Sequence, residues 1–131
     1  MKNLLLSCLC LFSISLVACG SDDNPNPGDD CVGNECVCTS DCSHDCTSGS
    51  DCEVQCAAGY DCDVGCNAGE LCHVECSTST SCNVDCSGGP DCNITCPASG
   101  CTVTNCPEAT CDVSCGALGR ATYSGTTATC P

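Results

Sequence analysis

The chain has almost no positive charge, no tryptophan and very little of any aromatic. Its 131 residues contain two bases, Lys2 and Arg120, against seventeen carboxylates, and its aromatics are Phe12, Tyr60 and Tyr123. A protein with one or two bases cannot neutralise a run of phosphates, so nucleic acid is excluded as a partner. So few large apolar side chains cannot build an ordinary core. There are two histidines, His44 and His73, and no nucleophile elbow, phosphate loop or HExxH motif. No enzyme is expected and no catalytic residue is assigned. A Cys-x-x-Cys pair is also missing, which argues against a thioredoxin-like redox centre and against zinc ribbons.

Long apolar runs are scarce too, with one exception at the start. Met1-Lys2-Asn3 is followed by an apolar stretch, Leu4 to Val17, interrupted only by serines. A charged start, a short apolar segment and small residues at its end make a secretory signal peptide, too short for a comfortable membrane span. The segment closes on Leu16-Val17-Ala18-Cys19. These four residues resemble the lipobox of bacterial lipoproteins. The resemblance implies removal of residues 1–18, lipid on the Cys19 sulfur and an acyl group on its amine, so that the membrane is a partner through this anchor. Gly20 is not the aspartate that commonly retains such proteins in the inner membrane, so the resemblance favours a cell-envelope address at the outer membrane. It leaves open whether the chain faces the periplasm or the medium.

After cleavage, Arg120 alone opposes seventeen carboxylates, a formal charge of −16. Such a field attracts cations or a basic protein partner. Residues 19–30, continuing from the lipidated cysteine as "GSDDNPNPGDD", are too polar and too rich in proline and glycine to fold, and read as a disordered acidic linker.

Cysteine is what the chain has in abundance. Of twenty-three, Cys8 and Cys10 fall in the signal and Cys19 carries lipid, leaving twenty. An even number in an exported chain points to a disulfide framework. Residues 31–41 form an irregular N-terminal cap. Over 42–115 the cysteines recur in pairs: Cys42 and Cys46, Cys52 and Cys56, Cys62 and Cys66, Cys72 and Cys76, Cys82 and Cys86, Cys92 and Cys96, Cys101 and Cys106, Cys111 and Cys115. The period is ten residues for six units, with single-residue slips at Cys101 and Cys111. Residues 116–131, rich in threonine and glycine, form a C-terminal cap.

Each unit has the form C-x-V-x-C followed by a turn. Cysteine, valine and cysteine at i, i+2 and i+4 share one face of a strand. The middle column is Val54, Val64, Val74, Val84, Ile94, Val103 and Val113, with His44 as the exception. Gly49, Gly59, Gly69 and Gly89 recur in one turn column, where positive φ is expected. The fold expected is all-β, a small disulfide-rich repeat protein: either a narrow β-solenoid of about eight ten-residue coils or an antiparallel β-meander.

Stacked coils would put Cys52 over Cys42 and Cys62; a meander would set Cys46 against Cys52 and Cys56 against Cys62. A bridge within one extended strand is excluded, because four residues span ~13 Å. Spacing alone does not choose among the pairings. The solenoid is preferred because a meander leaves its cysteine–valine face uncovered. The repeat resembles the disulfide-laced solenoids of insect antifreeze proteins, which implies stacked coils. It lacks their regular Thr-x-Thr rows, so no ice-binding surface follows.

Two metal chemistries suit these residues. Thiolates hold soft metals, but a metallothionein-like sponge favours denser spacing than this chain has, where Cys36-Val37-Cys38 is the one close pair after the signal. Carboxylates hold calcium. In ten-residue coils Asp51 and Asp61 would stack as like charges, with Glu53 and Asp63 two residues on, and a shared Ca²⁺ would relieve the repulsion. These four are the candidate calcium ligands. The function expected is that of a non-enzymatic, disulfide-stapled structural or interaction module, with metal binding as the alternative.

Overall fold

The computed structural model describes residues 30–131, except 48, 68–70 and 89–90. The signal segment, the lipidation site Cys19 and nearly all of the acidic linker therefore lie outside the described residues, as do Gly69 and Gly89. Twelve strands and one 3-10 turn, Gly116–Leu118, follow one another along the chain. The strands are β1 (Asp30–Val32), β2 (Glu35–Cys38), β3 (Cys42–Cys46), β4 (Cys52–Cys56), β5 (Asp61–Cys66) and β6 (Leu71–Glu75). They continue with β7 (Ser81–Asp85), β8 (Asp91–Thr95), β9 (Cys101–Thr104), β10 (Cys111–Ser114), β11 (Thr122–Ser124) and β12 (Thr127–Cys130).

Alternate strands go to opposite sheets. One sheet, A, has the order β1-β2-β4-β6-β8-β10; the other, B, has the order β11-β12-β9-β7-β5-β3. The repeat strands pair in parallel, each with the strand two units away, while β1, β11 and β12 close the ends antiparallel. The molecule is a β-solenoid of about four turns. The solenoid expected from the repeat is present, with a coil twice as long: twenty residues, two decapeptides, one strand on each side. Cys52 stacks on Cys72 rather than on Cys62. Six strands per sheet, at ~4.8 Å each, give about 24 Å between the outermost strands, not the ~38 Å of eight stacked coils.

The reason is geometric. A five-residue strand spans ~13 Å between its end Cα atoms. In a ten-residue coil, five turn residues would have to cross the core and retrace that length, leaving the valine facing irregular backbone. With two strands per coil the return path is itself a C-x-V-x-C strand, and each sheet supplies the apolar cover the other needs. Val54, Val74, Ile94 and Val113 form the column of sheet A. Val64, Val84, Val103 and Ala128 form that of sheet B. All eight are at most 3% exposed, and with the cysteines they make one cluster.

Ten disulfides use all twenty described cysteines. Nine of them join the two sheets. On one edge Cys38–Cys42, Cys56–Cys62, Cys76–Cys82, Cys96–Cys101 and Cys115–Cys130 connect sheet A to sheet B. On the other, Cys46–Cys52, Cys66–Cys72, Cys86–Cys92 and Cys106–Cys111 connect B back to A. The second cysteine of one unit thus pairs with the first of the next, the connectivity considered for a meander, inside a solenoid. The tenth, Cys31–Cys36, lies within the β1–β2 hairpin.

Irregularities of the repeat have local explanations. The extra residue before Cys106 is Asn105, held at φ 52, with its amide donating to Asp85 Oδ1 at 2.8 Å. Gly49 and Gly59 adopt the expected positive φ, 110° and 85°. Gly88 is needed for another reason: its N–H donates to the Cys66 carbonyl of the neighbouring coil at 3.2 Å, and a Cβ there would lie 2.7 Å from that oxygen and 2.8 Å from Asn67 Cα.

Val74→Ala should therefore lower the unfolding free energy by about 2 kcal/mol, since it opens a cavity between Val54 and Ile94. Gly88→Ala should also lower the denaturant midpoint although the residue is exposed, because the obstructing atoms are backbone. Equilibrium unfolding under non-reducing conditions checks both.

Candidate functional site

With the inner faces consumed by cysteine and valine, the outer faces are what the molecule offers to a partner. Each outer face carries two rows. On sheet A they run Glu35, Glu53, His73, Asn93, Asp112 and Val37, Gln55, Glu75, Thr95, Ser114. On sheet B they run Ser43, Asp63, Asn83, Thr102 and Asp45, Gly65, Asp85, Thr104.

The candidate calcium ligands divide between the sheets. Asp51 precedes β4 and Glu53 lies on it, in sheet A, whereas Asp61 and Asp63 lie on β5, in sheet B. The premise that Asp51 and Asp61 stack does not hold with a twenty-residue coil. Asp61 is placed over Asp41, whose Oδ1 accepts its backbone N–H at 2.9 Å. Asp63 lies between Ser43 and Asn83 and accepts from the Asn83 amide at 2.9 Å. Glu53 lies between Glu35 and His73.

The doubled coil keeps most like charges apart by interleaving neutral residues. Its clearest case is Gly65, between Asp45 and Asp85 on sheet B. A Cβ on Gly65 would run into the Asp45 carboxylate. Here a shallow cavity of about 280 Å³ opens, with Asp45, Asp63, Asp85, Asn67 and Asn83 on its walls. The ten-residue frame hid this group, because it set Gly65 beside Gln55 and Glu75, which the structure places on the opposite sheet.

The two histidines have different settings. His73 lies on the outer face of sheet A, as expected, between Glu53 and Asn93. Partial burial pushes the nearby Glu75 carboxyl up. The Ser77 hydroxyl and backbone N–H, the Thr95 hydroxyl and the charge of His73 together outweigh that and hold it below its ordinary value of 4.5. His44 occupies the inner column opposite Val64, and its Nε2 is buried without a hydrogen-bond partner.

Two polar residues that the repeat did not single out hold turns. Asn34, 7% exposed, donates from Nδ2 to the carbonyls of Thr47 and Ser50 and to Ser50 Oγ, and its Oδ1 accepts from the Thr47 N–H and hydroxyl. Ser79, 6% exposed, donates to the Cys76 carbonyl at 3.0 Å. Asn34 lies ahead of the repeat, where the spacing gives it no role, whereas Ser79 breaks the column of Gly49 and Gly59, a departure visible in the sequence. Among the described residues no helix is long and apolar enough to cross a membrane.

No protein-family model matches the chain, and no curated protein or solved structure matches it either.

Because Glu75 binds its proton less readily when folded, it contributes stability that is present above its ordinary value of 4.5 and lost as pH falls through the lower folded value. Glu75→Gln should therefore flatten the fall in melting temperature on the acid side of pH 4.5 and leave the neutral-pH slope unchanged. Thermal melts from pH 2 to 7 check this, the lower limit lying about two units below an ordinary carboxyl.

Proposed function

We propose that this protein is a non-enzymatic, lipid-anchored scaffold of the cell envelope, a stapled rod that holds two repetitive polar faces away from a membrane. The observation that carries the reading is the use of the interior. Every described cysteine is paired, and the inward positions hold cysteine and small aliphatics almost without exception. Sequence complexity is spent on rigidity, and variety appears only on the outer rows. A rigid surface with repeating rows suits many weak contacts in register rather than one enclosed pocket. Short cross-links that each contribute about 2–4 kcal/mol replace a large core, as suits a chain exported to an oxidising compartment. The Leu16-Val17-Ala18-Cys19 segment supports the anchor, and the linker after it supplies reach. The strongly negative field favours a basic protein partner.

A second reading is a calcium-dependent rod, favoured by the three aspartates around Gly65 rather than by the set at 51, 53, 61 and 63. Calorimetric titration with Ca²⁺ separates the two: the scaffold reading expects the same melting temperature with calcium and with a chelator.

In cells fed a radiolabelled fatty acid, the wild-type chain should carry label and sediment with membranes, and Cys19→Ser should lose both. Alkylation of the purified protein should find no free thiol before reduction and twenty after it on the mature chain, apart from the blocked Cys19. A Cys19→Ser chain that stays on the membrane, or a majority of thiols alkylating without reduction, would remove the reading.

A further inference from the structure

The inner column is apolar at every layer but the first. At the N-terminal end the position that valine fills elsewhere is taken on both sheets by another kind of residue. In sheet A it is Cys36, in register with Val54; in sheet B it is His44, in register with Val64. Cys31 on β1 pairs directly with Cys36. The sulfurs of Cys31 and Cys36 and one imidazole nitrogen of His44 all lie within 4.8 Å of one another. His44 Nε2 is buried with nothing to bond to. A valine would pack there at no polar cost, as it does in six other units, whereas a buried unpaired nitrogen gives up its hydrogen bonds to water without replacement. Apolar packing does not explain the histidine.

We propose that this end layer is a redox-gated site for a zinc-class cation, held by the Cys31 and Cys36 thiolates and the His44 imidazole once the Cys31–Cys36 bridge has been reduced. The bridge differs from the other nine in two ways. Cys31 is exposed, while all the remaining described cysteines are buried. It lies within one sheet, so opening it leaves every link between the sheets intact. Thiol–disulfide exchange needs an accessible sulfur, and this bridge presents one.

The chemistry balances with a dithiol as reductant. Its thiolate attacks the Cys31 sulfur, the Cys31–Cys36 bond breaks, and Cys36 leaves as thiolate. The second thiol of the reductant then closes its own disulfide and releases Cys31. Two electrons have passed from the dithiol to the bridge. A divalent cation replaces the two thiol protons, which go to water, and takes the lone pair of neutral His44. Two thiolates cancel the charge of the ion, which suits a partly buried place. Metal–sulfur bonds of ~2.3 Å and metal–nitrogen bonds of ~2.0–2.1 Å in a tetrahedron set ligand atoms about 3.6–3.8 Å apart, within small side-chain shifts of the cluster. The fourth position is left to water. Thiolate with imidazole selects zinc-class ions over calcium.

The test uses limited dithiol reduction of the purified full chain under argon, with Cd²⁺ as an optical probe and Zn²⁺ in competition against a chromophoric chelator. Mapping by alkylation should find Cys31 and Cys36 free first, with the other nine bridges intact. Cadmium–thiolate absorbance should then saturate at one ion per chain, and unreduced protein should show none. His44→Val, which restores the column, should keep the circular dichroism of the wild type and the same two-thiol intermediate but bind at least tenfold more weakly. His44→Gln serves if the valine variant does not fold. Another bridge opening first, no absorbance at two thiols, or histidine variants binding as tightly as the wild type would each overturn the proposal.

Discussion

The disulfide across each turn sets where every strand of this molecule can lie. A bridge demands Cα atoms roughly 4.4–6.8 Å apart. Here the second cysteine of one strand and the first of the next meet it at 5.9 Å for Cys46–Cys52 and 6.4 Å for Cys56–Cys62. Two strands so joined cannot lie side by side in one sheet and still leave their valines a partner; they face each other across the core. Repetition of that link along the chain alternates the strands between two sheets and fixes the register of each by the strand two units away. The valine columns, the outer rows and the edges where turns stack all follow. Backbone contacts from turn to turn, such as Thr80 N–H to the Tyr60 carbonyl at 2.9 Å, reinforce the same twenty-residue spacing.

The doubled coil also arranges the charge. With seventeen carboxylates and so few bases, a stack that set every unit over the next would place acid on acid along its length. Sending consecutive units to opposite faces puts Asp63 between Ser43 and Asn83, and it puts Gly65 between two aspartates. Glu35 beside Glu53 is where two acids of the sheet A row still adjoin. The outer faces are therefore negative without being uniformly so, and each has its own pattern of amides, hydroxyls and carboxylates on a rigid frame.

The two ends of the rod are built differently. At the C-terminal end β12 runs antiparallel to β9, yet Ala128 completes the inner column and Cys130 takes the place of a first cysteine, opposite Cys101. Tyr123 packs against the cluster and donates to the Cys111 carbonyl at 2.7 Å, covering the last strand of sheet A. Closure at this end is apolar and ordinary. At the N-terminal end the β1–β2 hairpin and Asn34 hold the first coil, and the layer beneath them carries sulfur and imidazole in place of valine. That contrast is why the N-terminal layer, rather than the repeat, is the place to look for chemistry.

The elements are legible in the chain alone. Cysteine, valine and cysteine two apart can only be one face of a strand; the ten-residue beat locates β3 to β10, while the strands of the two caps, β1, β2, β11 and β12, fall outside it; the even count of twenty makes a bridged framework; and His44 stands out as soon as the column is written down. How many units make a coil, which cysteines meet, and which carboxylates share a face emerge from the packing of the strands. The physical reason is that a strand's pattern tells which side is buried and not what buries it. Another decapeptide and the chain's own turn are equally apolar covers on paper. The choice between them rests on whether five residues can cross a core and retrace a strand, and on the distance a disulfide will span. Asp45 and Asp85, forty residues apart in the chain, flank one glycine for that reason, while Glu53 and Asp63, ten apart, lie on opposite sides of the molecule.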